Sequence, residues 1–227
     1  MKHFLWCIWE GLTLVGLNCL GAGSVPAFDV DPTEGFHEFE LQRTNGMYGW
    51  SFSIVEPVTV TTIGWYDDGL NGLFHSHQVG LWPGGLNTPG GDLIGTVTIP
   101  AGTNAPLDGV YRKMDLPAAL TLAPGDYIVA GTHLDENQDF VYFINPYVLD
   151  PTPGDPRFRV GGPAIAFGND FRRPDLFILA YGLELGPMLF VEPIPEPSGV
   201  CLALAGALGV WTTRARRSTM RSGHDYC

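Results

Sequence analysis

Cysteine is missing from the middle of this chain. Of four cysteines in 227 residues, Cys7 and Cys19 lie in an N-terminal apolar segment, Cys201 in a C-terminal one, and Cys227 is the last residue. The region between them has neither a disulfide framework nor a thiolate metal site. A domain of roughly 165 residues buries enough surface to fold without either. Positive charge is also scarce. Between Phe28 and Pro197 there are 22 Asp and Glu against 7 Lys and Arg, a balance of −15 in a chain of net charge −12. Such a body repels phosphate backbones, so the reading includes no nucleic-acid partner. It is compatible with solubility and with cation binding. The body also lacks a sustained 3.6-residue apolar period, which argues against helices. It has no G-x-S-x-G, no H-E-x-x-H, no phosphate loop and no cysteine nucleophile, and the expectation is a protein that is not an enzyme.

What the chain has is 30 glycines and 19 prolines beside many β-branched and aromatic residues. That mixture indicates short strands joined by turns rather than disorder. In "YGWSFSIVEP" Trp50, Phe52 and Ile54 share one face, with Ser51 and Ser53 on the other. In "VTVTTIGWY" strict alternation sets Thr59, Thr61, Ile63 and Trp65 on one face and Val58, Val60 and Thr62 on the other. The tight Glu56-Pro57 punctuation between these two strands predicts a hairpin. Further strands are expected at 78–82, 93–99, 110–116, 127–132, 140–144, 164–167, 176–183 and 185–191, spaced by Gly, Pro, Asn or Asp. In "TLAPGDYIVAG" the Pro124-Gly125 pair makes a turn, read as a sandwich corner with no catalytic role. The pattern predicts an all-β fold, an antiparallel β-sandwich or jelly roll over 28–192.

The two ends differ from this body. Residues 1–27 read as an export signal: Lys2, a mostly apolar run from Leu5 to Leu20, then Gly21, Ala22, Gly23, Ser24 and Ala27. Cleavage after Ala22 and after Ala27 are both open. At the other end, Pro193, Pro195 and Pro197 bracket Glu192 and Glu196, forcing extended backbone. The uncharged stretch 199–213 follows, then Arg214, Arg216 and Arg217. As a helix, fifteen residues span only ~22 Å of a ~30 Å hydrocarbon core. The arginines would stay cytoplasmic, and snorkelling would make up part of the shortfall. The expectation is a short transmembrane helix that holds the chain only transiently.

Pro195-Glu196-Pro197-Ser198, the short apolar span and the basic cluster together resemble the PEP-CTERM sorting signal, here 193–217. The resemblance implies processing by an exosortase, an envelope protease-transpeptidase that recognises the Pro-Glu-Pro. It also implies release into the cell envelope or an exopolysaccharide-rich biofilm matrix of Gram-negative-type bacteria. The family usually stops within a few residues of the arginines, whereas here a tail, 218–227, continues to Cys227. The stretch from Gly49 to Asp135, through "WSFSIVEPVTVTTIGWYDDG", "HQVGLW", "TVTIPAGT" and "LAPGDYIVAGTHLD", resembles a domain type often found ahead of such tails. That type implies a β-sandwich and no known activity.

Candidate binding residues concentrate in "WYDDGLNGLFHSHQVGLW" and "HLDENQDF". Asp67, Asp68 and Asn71 in a Gly-rich loop, joined by Asp135 and Asp139, offer oxygen ligands of the type Ca²⁺ takes. The same residues also serve as turn formers. His75 and His77, two apart, would face one side of a strand and could hold Zn²⁺ with a third ligand such as His133 or Asp135. Trp50, Trp65, Tyr66, Trp82, Tyr142 and Tyr147 are available to sugar rings, with Trp50 and Trp65 assigned to the core. The resulting reading is an exported structural or adhesive protein, with extracellular polysaccharide as a partner. Its alternatives are a Ca²⁺-assisted carbohydrate-binding module and, behind that, a polysaccharide hydrolase with an acidic pair.

Overall fold

The alternating segments form β-strands in a computed structural model, which describes residues 23–28, 45–86, 88, 90–134, 139, 142–144, 154–176 and 183–194. Twelve strands appear among these residues: β1 Val25–Pro26, β2 Gly46–Ile54, β3 Val58–Tyr66, β4 His77–Pro83, β5 Gly95–Ile99, β6 Leu107–Asp108, β7 Tyr111–Leu122, β8 Gly125–His133, β9 Tyr142–Ile144, β10 Phe158–Phe167, β11 Leu183–Leu185 and β12 Pro187–Val191. One sheet runs β1-β12-β3-β7-β6, a second β10-β2-β8-β4-β5, and β11 pairs with β9. Every pairing is antiparallel. The only helical element described is a single 3-10 turn, Asp68–Leu70. These strands belong to one compact unit, Met1–Pro193; of a second, Ile194–Cys227, only Ile194 is described. Of the expected export signal 1–27 only residues 23–27 are described, with Val25–Pro26 as β1; the rest of it, the transmembrane stretch and the basic cluster lie outside the described residues.

One apolar cluster draws on both five-stranded sheets. Trp50, Phe52 and Phe158 from the second meet Val58, Val60, Ile63, Trp65 and Leu189 from the first. Two contacts join the sheets directly. The Trp50 indole N–H donates to the Pro187 carbonyl at 2.8 Å, and the Trp65 ring stacks on His77 with centroids 4.1 Å apart. The fold is therefore all-β, antiparallel and sandwich-like. The far face of the second sheet carries its own small cluster of Met47, Trp82, Ile128, Ala130, Ala164 and Ala166, packed by Leu86 and Phe171.

The expected β2–β3 hairpin is absent. β2 pairs with β10 and β8, whereas β3 pairs with β12 and β7. The exposed residues Val55–Pro57 carry the chain from one sheet to the other. Pro57 has no N–H for a hairpin ladder, and the Val55 N–H turns instead to the Arg157 carbonyl at 3.0 Å. The turn at Pro124 is a corner of the same kind, from β7 to β8 in the opposite sheet. The Tyr127 hydroxyl fastens it by donating to the Ala123 carbonyl at 2.8 Å.

The faces of β3 also differ from simple alternation. Against β12, Thr62 pairs with Phe190 and Val60 with Val191, leaving Thr61 as an extra residue. This bulge resets the phase, so Val58 and Val60 point to the core together with Ile63 and Trp65. Opposite it, β7 pushes out Leu116–Ala119 between Asp115 and Leu120. A third bulge, at Gly161 of β10, sits where an added Cβ would lie 2.5 Å from the Ser51 hydroxyl oxygen.

Candidate functional site

Most of the singled-out polar residues fall in the loop that links β3 to β4, residues 67–76, and on what touches it. Asp67 directly follows β3 and is buried, 1% exposed. Its carboxylate accepts from Arg112 Nε at 2.7 Å and from the Gly72 N–H at 3.1 Å. Arg112, on β7, also donates to the carbonyls of Ala105 at 3.2 Å and Leu70 at 3.4 Å. A buried charge is tolerable only when paired and hydrogen-bonded, and this pair meets both conditions. The loop is closed by a bridge between Leu73 and Gly102. Within it Leu70 adopts φ +60°, a left-handed conformation unusual for a leucine.

The second buried cluster centres on Asp139. Its carboxylate accepts from the backbone N–H of Phe74 at 2.7 Å and of His75 at 2.8 Å, and meets His77 Nε2 at 2.9 Å. Its carbonyl accepts from His133 Nε2 at 2.8 Å. Burial works to raise the Asp139 carboxyl, but it is outweighed by the His77 hydrogen bond, the two backbone donors and the His77 charge, which hold it below the usual range. The other nitrogen of His77, Nδ1, lies 2.7 Å from the Thr132 carbonyl. Both ring nitrogens thus face oxygen atoms, which fixes the orientation of the ring.

The structure therefore divides the candidate ligands. Asp67 is occupied by Arg112, and Asp139 by the His77 ring and two backbone N–H groups of its own chain. Asn71 is exposed, and for Asp68 only the backbone, in the 3-10 turn, is described. Asp135 lies outside the described residues. His75 and His77 reach the same carboxylate by different groups, one through its backbone and the other through its ring. The His75 ring stands edge-on to Phe74 with centroids 4.8 Å apart. Among the described residues no group of three His, Cys, Asp or Glu is placed to hold a metal. Trp50 and Trp65 are core residues, as expected. Tyr66 and Trp82 are buried as well and offer no open face to a sugar; Tyr147 and the side chain of Tyr142 lie outside the description. The exposed described aromatics are instead Phe74 and Phe167.

Two buried charged residues escaped the sequence reading. Arg112 lies on β7 beside Lys113, and Asp155 follows Pro153-Gly154 in the sequence. Asp155 is buried and forms a forked pair with Arg157, which also donates to the Glu192 carbonyl at 2.8 Å. No family model, no curated protein and no solved structure gives a match to this chain.

Proposed function

We propose that this chain is an exported structural or adhesive protein, a jelly-roll β-sandwich parked at the inner membrane by its C-terminal segment and then freed by an exosortase-like peptidase. The observation that carries the reading is the order of Pro195-Glu196-Pro197, an uncharged stretch and Arg214, Arg216 and Arg217. That order begins directly after β12 ends at Val191. The strand order supports the fold. Setting aside the outer strands β10 and β6, four strands β1-β12-β3-β7 face four strands β2-β8-β4-β5, the two four-stranded sheets of a jelly roll. Delivery puts the acidic domain in the cell envelope or in extracellular polysaccharide. The use of Asp67, Asp139 and Asp155 as internal staples fits a domain selected for rigidity. The calcium-assisted reading draws no support from Asp67 and Asp139, since their carboxylates are already occupied.

β1 also bears on the N-terminal cut. Val25 and Pro26 pair with Val191 and Phe190, the Ala27 N–H donates to the Leu189 carbonyl at 2.8 Å, and Phe28 packs on Trp50. Removal up to Ala27 would delete this strand, which favours cleavage after Ala22. Intact-mass spectrometry of the protein recovered from its own cells tests both ends. The expected product begins at Gly23 and lacks Arg214–Cys227. A product that retains those residues, unchanged by Glu196→Ala, overturns the sorting account.

A further inference from the structure

Sheet edges are where unpaired backbone groups invite another chain, and folded proteins block them with short strands, proline, charge or a covering segment. Among the described residues, three of the four edges of the two five-stranded sheets are blocked. β1 is two residues long and contains Pro26. β6 is two residues long and carries Asp108, paired to Lys113 at 2.6 Å. β10 contains Pro163 and the Gly161 bulge, and its Ile165 exchanges hydrogen bonds of 3.0 and 3.1 Å with Leu176. β5 lacks the proline, charge and bulge that guard the other three. It is five regular residues, Gly-Thr-Val-Thr-Ile, with no charge and no proline, and among the described residues nothing pairs with its outer side. Leu116 and Leu120 of β7 approach Gly95 at one end of the strand. Leu93 and Ile94, just before it, are exposed.

We infer that β5 is a self-association edge, at which a second copy of this chain adds its own β5 antiparallel across a two-fold axis. Two observations point to a second copy. A body carrying −15 repels its own kind, and two copies approach at least cost along a neutral strip; residues 93–107 contain no charged side chain. A two-fold interface must also be self-complementary. Centred on Val97, the register sets Thr96 opposite the second copy's Thr98, and Gly95 opposite the second copy's Ile99. Facing threonines form a favourable cross-strand pair. The product is one continuous sheet through both protomers, ordered β10-β2-β8-β4-β5 and then the reverse. This inference is independent of the sorting reading, since it concerns the folded domain whether or not the tail is cut.

The test is sedimentation of the full chain in a non-ionic detergent over a range of concentrations. The wild type is expected to dimerise with micromolar affinity, as suits an interface this small. Thr98 is exposed, so Thr98→Lys should leave the thermal melt unchanged. It should weaken the dimer at least about tenfold. Mixing that variant with Thr96→Glu copies should restore dimers, because opposite charges then face each other across the axis. A wild type that stays monomeric overturns the inference. So does a dimer indifferent to Thr98→Lys, which would place the contact elsewhere, or a mixture that gains nothing.

Discussion

Replacing Arg112 by methionine should destabilise the domain more than any surface change, and the cost can be worked from the contacts. The guanidinium supplies the 2.7 Å bond to Asp67 and the bonds to the Ala105 and Leu70 carbonyls. Methionine keeps much of the apolar stem but leaves the buried Asp67 carboxylate with the Gly72 N–H alone. Removing one partner of a buried pair costs about 3–5 kcal/mol, chiefly because a charge is stranded. For a domain of this size each kcal/mol shifts the melting temperature by about 2–4 °C, so the drop should be roughly 6–20 °C. Calorimetry at neutral pH measures it. The double variant Arg112→Met/Asp67→Asn should recover about 1–3 kcal/mol, because the stranded charge is gone while an oxygen still faces Gly72. A single variant costing under ~1 kcal/mol, the range of exposed pairs, would refute the reasoning. A double variant as unstable as the single one would do the same.

Two further outcomes follow from the same geometry. Burial tends to raise the Asp155 carboxyl, but the Arg157 side-chain and backbone hydrogen bonds and its charge hold it below its ordinary value. Its stabilisation is therefore fully present above the unfolded value of ~3.9 and is lost as pH falls through the folded value. The melting-temperature gap between wild type and Asp155→Asn should be constant at neutral pH and should close in acid; a gap that widens in acid would contradict the pairing. At Gly131 an added Cβ would lie 2.3 Å from the Trp65 ring. Gly131→Ala should cost about 1–3 kcal/mol by overpacking and alter the near-ultraviolet signal of the Trp65–His77 stack, so an unchanged melt would count against the close approach.

Much of the strand layout was legible because period-two alternation needs only local residues. The β3 segment matches Val58–Tyr66 at both ends, and Trp50, Phe52 and Ile54 share the core face as read. What alternation misses is phase and partner. The bulge at Thr61 is defined by the register against Phe190 and Val191, some 130 residues away, and no local pattern announces it. The hairpin reading failed for the same reason: Glu56-Pro57 is a chain reversal in either case, and the sheet that β3 joins is decided by β12 and β7. At the candidate site, residue type drew notice to Asp67, His77 and Asp139. Their roles depended on Arg112 and on the Phe74 and His75 amides, which converge only in three dimensions.

The strand that completes the first sheet comes last among the described strands. β12 lies between β1 and β3, joining Val25 to Val191 across almost the whole domain. A polypeptide synthesised N-terminus first must hold its early strands unfinished until the last residues of the domain are made. Completion of the core is thereby timed to the end of the domain's synthesis, and a truncation before Pro187 would leave β1 without its neighbour and the Trp50 indole N–H without its acceptor.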